Sequence, residues 1–221
     1  MSEAYWMIQK YDKSVTLAKK AILLDDKAID YKISLGKKYI ALNKYELSLE
    51  VFNGIAKDDP NNGDILFIIG DLKAELKDID GALLYYQEAY NVDNELILAL
   101  EVAAQLAYNS NHRDLSNIFK KLLFADPSNS EYMRGFIESN NGGDIEGLLE
   151  LLKFEELKAN PFYNNLFNQI ALEFIREGRF DLAEEYLNKS LSKKDDDRFA
   201  LYYLSLVYRE ISRNDLDLEI S

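Results

Sequence analysis

Apolar residues recur at intervals of three and four along most of the chain, which is the period of amphipathic α-helices. The stretch 29–62 shows the pattern most clearly, because two such helical segments there are separated by a polar turn near Asn43. The first segment carries its apolar positions at Ile33, Leu35, Tyr39, Ile40 and Leu42, and the second at Leu49, Phe52 and Ile55. The pattern predicts two helices that fold back on each other.

The same pattern returns every 34 residues. Asp25, Asp59 and Asp93 mark this step. The prolines stand at Pro60, Pro127 and Pro161, which are 67 and 34 residues apart. The first interval is one residue short of two periods, so we expect a one-residue deletion, which we place in the turn around Asn111. A fixed period of this length predicts a stack of similar helical units.

The repeat 29–62 resembles the tetratricopeptide repeat, whose first helix carries Leu, Gly and Tyr and whose second helix carries small and aromatic residues before a closing proline. The matching residues are Leu35, Gly36, Tyr39, Ser48, Phe52 and Pro60. This resemblance implies an all-α fold, a right-handed α-α superhelix (solenoid) of helix-turn-helix repeats. Gly36 is expected where the two helices of the repeat come closest.

The period divides the chain into units that together form one predicted solenoid domain over 1–221. Their bounds are 1–28 (partial), 29–62, 63–96, 97–129, 130–163 (divergent), 164–197 and 198–221 (partial). In the divergent unit Gly142 and Gly143 predict a loose turn or bend, and Asp144 is placed to cap the next helix. Near the C-terminus, 198–212 predicts a first helix and the remaining residues are too few for its partner.

Charge limits the classes of partner. The formal net charge is −13, which disfavours a nucleic-acid partner. Residues 1–57 carry +3 and the rest −16, a distribution that fits solvated surfaces, head-to-tail self-association or an acidic partner near the N-terminus. No stretch is apolar enough for a membrane span and no secretory signal is evident, so we expect no membrane partner and a cytoplasmic location.

Candidate chemistry is sparse. The chain has no cysteine and one histidine, His112, which the sequence places in a solvated turn. We therefore expect no metal, no cofactor and no catalytic residue. The acids Asp58, Asp59 and 195–197 fall between repeats, where they favour helix ends.

The resemblance implies that first helices line a groove that binds a protein or peptide segment. The candidate groove residues are Lys37, Phe67, Asp71, Glu75, Glu101, Gln105, Tyr108, Asn168, Leu172 and Tyr202. Acids at its centre favour a basic and apolar partner. We therefore predict a non-catalytic scaffold or adaptor, with two alternatives: a self-assembling subunit that forms a homodimer through its terminal repeats, or a regulatory subunit of an enzyme.

Overall fold

A computed structural model describes residues 11–25, 29–140 and 144–220, with side chains as far as 212. These residues form twelve α-helices and one 3-10 helix, and no strand occurs among them. The predicted all-α class is confirmed. Tyr5 and Trp6, which belong to the predicted first unit, lie outside the described residues.

The helices fall into two compact units, one up to Arg113 and one from Asp114 onward. The first contains α1 (Tyr11–Leu24), α2 (Ile29–Ala41), α3 (Tyr45–Asp58), α4 (Gly63–Glu75), α5 (Ile79–Val92) and α6 (Ile97–Asn109). The second contains α7 (Leu115–Ala125), α8 (Ser130–Ser139), α9 (Ile145–Leu152), a 3-10 helix (Glu155–Ala159), α10 (Asn164–Arg176), α11 (Phe180–Lys193) and α12 (Arg198–Ile220). That the two units together form one solenoid domain stays a prediction.

In the first unit, consecutive helices pack against each other, and glycines set how closely they approach. A Cβ added to Gly70 of α4 would lie 2.7 Å from the ring of Tyr86 on α5, which is 2 % exposed. Gly36 of α2 meets the buried ring of Phe52 on α3 in the same way. The predicted close approach at Gly36 is confirmed, because no side chain larger than hydrogen fits beneath either ring.

The turns between the paired helices share one backbone conformation. Asn43, Lys77, Asn111 and Gly178 occupy equivalent places in four repeats and have φ of 55°, 65°, 50° and 71°. In each turn, the backbone amide of the residue that follows the left-handed one donates a hydrogen bond to the carbonyl oxygen five residues before itself, at 2.8 to 2.9 Å. This left-handed residue ends the first helix and reverses the chain, as in other helix C-termini.

The predicted deletion at Asn111 was placed wrongly. The turn there keeps the left-handed residue and its hydrogen bond. The shortening comes afterwards, because α7 has 11 residues where α3, α5 and α11 each have 14.

The divergent fifth unit consists of short helices. α8 has 10 residues and α9 has 8, and a 3-10 helix follows. Asp144 caps α9, accepting from the backbone amide of Gly147 at 2.8 Å, as predicted. The bend predicted at Gly142 and Gly143 lies outside the described residues. The last helix also differs from expectation, since α12 continues beyond Ser212 to Ile220.

Candidate functional site

Seven of the predicted groove residues lie on the first helices of the repeats in the first unit. All but one have exposed side chains: Lys37 on α2, Asp71 and Glu75 on α4, and Glu101, Gln105 and Tyr108 on α6. The exception is Phe67 on α4, which is half-buried. We call the exposed faces of α4 and α6 that carry these residues the acidic surface.

The α4 part of the acidic surface has an aromatic base. Phe67, Asp71 and Glu75 follow each other at intervals of four, so they lie on one side of the helix. Tyr86 from α5 supports this side from below: its ring centroid is 5.3 Å from that of Phe67, and its hydroxyl donates to Asp71 Oδ1 at 2.8 Å. One tyrosine thus holds both the aromatic ring and the first carboxylate in place.

The carboxylate of Asp71 is held in a setting that disfavours its charge. Although the Asp71 side chain reaches solvent, its carboxylate is partly buried where it meets Tyr86, and this partial burial raises its pKa. The hydrogen bond from Tyr86 lowers the pKa in part, and the nearby negative charge of Glu75 raises it further. Burial also raises the pKa of the Tyr86 hydroxyl, and its hydrogen bond to Asp71 adds to that shift. A positive charge placed beside Asp71 and Glu75 would relieve this electrostatic cost.

The α6 part of the acidic surface combines polar and apolar side chains. Glu101, Gln105 and Tyr108 follow at intervals of four and three along the helix. Tyr108 is 69 % exposed, and Gln105 Nε2 donates to Asn109 Oδ1 at 3.0 Å. Leu98, one turn before Glu101, is 54 % exposed and was not among the predicted groove residues. Leu98 occupies a repeat position that faces the groove in other repeats, and this position could have identified it from the sequence.

Lys37 differs from the other groove residues of the first unit, because it brings a positive charge. It is exposed on α2, whereas its neighbour Lys38 is buried and donates from Nζ to Ser34 Oγ at 2.7 Å. The acidic character of the surface is therefore a property of α4 and α6 and does not extend to α2.

The predicted groove residues of the second unit are in three different environments. Leu172 is half-buried, and Tyr202 is 58 % exposed, with its ring against that of Tyr203. Asn168 is buried, and its side chain donates to Asp197 Oδ2 at 2.9 Å. The Asn168 amide thus has a structural contact, and its role in binding a partner stays a prediction.

Asp197 is the centre of a polar network that sequence reasoning did not find. Its carboxylate accepts five hydrogen bonds, from Asn164 (3.2 Å), Asn168 (2.9 Å) and Ser190 (2.9 Å), and from the amides of Phe199 (3.0 Å) and Ala200 (3.2 Å). Burial alone would raise the pKa of Asp197, but these hydrogen bonds outweigh it and hold the pKa below its usual value. The expectation that this acid serves a helix end is confirmed, since the two amides belong to α12.

His112 is not the freely solvated side chain expected from the sequence. Its Nε2 lies 2.9 Å from Asp80 Oδ1 at the start of α5, and the histidine side chain is 20 % exposed. The tertiary fold makes this contact between residues 32 positions apart in the chain, so no local pattern could predict it.

Within residues 11–25, 29–140 and 144–220, the acids and His112 form no group of three or more side chains placed to hold a metal ion. None of the helices described is both long enough and apolar enough to cross a membrane.

Similarity to known proteins is confined to repeats and fold. Models of the tetratricopeptide repeat match residues 33–94 and 165–195. No curated protein sequence matches the chain. Similar solved structures include MamA (15 % identity, 88 % of this chain and 95 % of that one, TM-score 0.49) and YrrB, a TPR protein with an unusual peptide-binding site (16 %, 91 % and 87 %, 0.46). A tetratricopeptide repeat protein from Parabacteroides merdae is also similar (15 %, 94 % and 81 %, 0.48).

The two matched segments agree with the structure. The first covers most of α2 and all of α3, α4 and α5, and the second covers α10 and α11 almost completely. Both contain paired helices joined by the left-handed turn described above. The chain therefore contains tetratricopeptide repeats, at residues 33–94 and 165–195.

Proposed function

We propose that the chain is a non-catalytic scaffold or adaptor whose acidic surface binds a protein segment carrying lysine or arginine beside apolar residues. A general role in protein interaction is what tetratricopeptide repeats support. The observation that carries the finer proposal is the environment of Asp71, which is held by Tyr86 next to Glu75 and has a raised pKa.

The electrostatic argument starts from the cost of that charge. A carboxylate with a raised pKa is less stable as an anion in the folded chain than in water. A lysine or arginine from a partner would offset the cost, because it attracts Asp71 and Glu75 at once. Perturbed carboxylates of this kind are more common at functional sites than elsewhere on a surface.

The apolar part of the proposed partner has its own contacts. Leu98 and Tyr108 expose large apolar side chains on α6, and Phe67 offers part of its ring on α4. Tyrosine is enriched among the residues that contribute most to binding, and exposed apolar side chains beside it can hold the apolar face of an amphipathic segment. The proposed ligand is therefore a short amphipathic segment, neither purely basic nor purely apolar.

Further expectations belong to the same proposal. A cytoplasmic location, the absence of a catalytic or cofactor role and a groove that extends to Leu172 and Tyr202 remain predictions. Of the two alternative functions, self-assembly has support from a specific surface of α1, the exposed side with Lys20, Leu23 and Leu24. A regulatory role in an enzyme has no comparable observation.

A charge-reversal experiment tests the proposed site. Two labelled peptides of equal length and leucine content, one with lysine and one with glutamate at every charged position, are titrated with the chain and binding is followed by fluorescence anisotropy. We expect the lysine peptide to bind, and the variant Asp71→Lys/Glu101→Lys to bind it at least about tenfold more weakly, since two attractive charges become repulsive.

The matched control is Glu46→Lys/Glu50→Lys, which makes the same change in net charge. Both positions are exposed on α3, the second helix of its repeat. This control should bind the lysine peptide nearly as well as the unmodified chain. Equal losses in both variants would show a long-range effect of net charge and contradict a site on α4 and α6. Circular dichroism confirms that each variant is folded.

A further inference from the structure

The first helix that the structure describes, α1, exposes a combination of basic and apolar side chains. Lys20 is exposed on α1, and one turn later Leu23 and Leu24 are 85 % and 89 % exposed. Lys13 and Lys19 are also exposed on this helix. Adjacent leucines with so much surface in water are uncommon on a helix that faces only solvent.

The opposite side of α1 is the side that packs against the rest of the fold. Ser14 and Ala18 are buried, and Ala18 lies in a small core with Leu35 and Tyr39 of α2. Lys20, Leu23 and Leu24 take no part in that core. Packing among the residues that the structure describes therefore does not explain why leucines occupy these two exposed positions.

The chemistry of this exposed side matches that of the acidic surface. The acidic surface offers Asp71, Glu75 and Glu101 together with the exposed Leu98 and Tyr108. The side of α1 with Lys20, Leu23 and Leu24 offers positive charge with two leucines. The acidic surface is negative and α1 is positive around Lys19 and Lys20, and both leave apolar area in contact with water.

We propose that a second copy of this chain occupies the acidic surface, inserting the exposed side of its α1 against α4 and α6 of its neighbour. The inference rests on the proposed function, because it names an occupant for the same surface. Lys20 would approach the carboxylates of α4, and Leu23 and Leu24 would cover Leu98 and Tyr108. Complementary charge of this kind selects partners and speeds association.

This contact joins different surfaces of two identical chains. In a head-to-tail assembly, one end has an unused α1 and the other end has an unused acidic surface. Further copies can therefore be added at both ends, unless the two ends meet and close the assembly into a ring. The assembly should therefore grow with protein concentration beyond a dimer. It should weaken as salt is added, because the opposed charges are solvent-accessible.

One-sided variants test the proposal with the full chain. Lys20→Glu/Leu24→Ser removes the inserting side, and Asp71→Lys/Glu101→Lys removes the receiving side. By sedimentation velocity, the unmodified chain should form species larger than a dimer as its concentration rises. Each variant alone should self-associate at least about tenfold more weakly. A mixture of the two should stop at a one-to-one pair, since one receiving and one inserting side remain.

The outcomes separate this inference from the proposed function. A chain that stays monomeric at all concentrations, yet binds the lysine peptide, overturns self-insertion and leaves the proposed function standing. Self-association that survives Lys20→Glu/Leu24→Ser also overturns it. Lys57→Glu, an exposed change at the end of α3, is the charge control and should associate like the unmodified chain.

Discussion

Two glycines in α3 and α4 have opposite surroundings. A Cβ at Gly70 would lie 2.7 Å from the ring of Tyr86, which is buried and whose hydroxyl is bound to Asp71. A Cβ at Gly54 would meet nothing within 4 Å. Only the first glycine is therefore required by packing, while the second reduces helix stability with no compensating contact.

We predict that Gly70→Ala lowers the free energy of unfolding by roughly 1–3 kcal/mol, because the added methyl group displaces a fixed ring. Gly54→Ala should raise it by about 0.5–1 kcal/mol, because alanine has the higher helix propensity. Urea denaturation followed by circular dichroism measures both. A stabilising Gly70→Ala would show that the α4–α5 contact is looser than the structure indicates.

Asp197 makes a pH-dependent contribution to stability. Its folded-state pKa is lower than its ordinary value of 3.8, so the ionised form is stabilised by folding. That contribution is fully present above the ordinary pKa and is lost as the pH falls through the lower, folded-state pKa. Asparagine keeps the shape of this side chain but cannot accept all of the hydrogen bonds.

Asp197→Asn should therefore cost about 2 kcal/mol of unfolding free energy at neutral pH, from weakened buried hydrogen bonds and helix capping. The difference from the unmodified chain should shrink as the pH is lowered below 3.8 and through the lower, folded-state pKa of Asp197, because the native carboxylate is then protonated. Denaturant titrations across this range measure it. Asp195→Asn, at an exposed position, is the control, and a difference that does not change with pH would contradict the assignment.

At the scale of helices and turns, one backbone geometry joins the helix pairs. The left-handed position is held by asparagine in two turns and glycine in a third, residues that adopt this conformation readily. Lys77 occupies the same position between α4 and α5 with φ of 65°, although lysine is not favoured there. Its side chain is exposed.

We predict that Lys77→Gly raises the free energy of unfolding by about 1 kcal/mol, because glycine removes the left-handed strain. Gly178→Ala should lower stability by a similar amount, since it introduces that strain in the turn between α10 and α11. Thermal melts of the two variants provide the comparison. Equal effects of the same sign would show that φ at this position does not control the turn.

The helices in which apolar residues recur at regular intervals were predicted correctly from the sequence. The pairs α2–α3 and α4–α5 and the close contact at Gly36 followed from apolar spacing and the 34-residue step. The shortened α7 was attributed to a turn, because the interval between prolines counts residues and does not locate the missing one. The extension of α12 to Ile220 was missed because its polar residues carry no periodic signal.

The candidate site was predictable only in outline. Asp71, Glu75 and Tyr108 were found from their places in the repeat, but the support that Tyr86 gives Asp71 joins two helices and has no sequence signal. The Asp197 network and the His112–Asp80 contact also join distant residues. Local pattern gives the direction of a side chain on its own helix, whereas its electrostatic setting depends on neighbouring helices.

At the scale of the whole molecule, uneven charge is the property most relevant to function. The net charge of −13 gives general repulsion between copies, yet α1 is locally basic and the acidic surface lies on α4 and α6 of the same unit. Binding at the acidic surface should therefore weaken steeply with ionic strength for any basic ligand.

A double-mutant cycle between Asp71 and one lysine of the bound peptide measures whether a partner's positive charge contacts this carboxylate. Affinities are measured for the unmodified chain and Asp71→Lys, each with the lysine peptide and with a version in which that lysine is glutamate. Direct contact predicts that each single change weakens binding and that the double change recovers about fivefold or more. Changes that simply add, with no recovery, would contradict a binding site at Asp71.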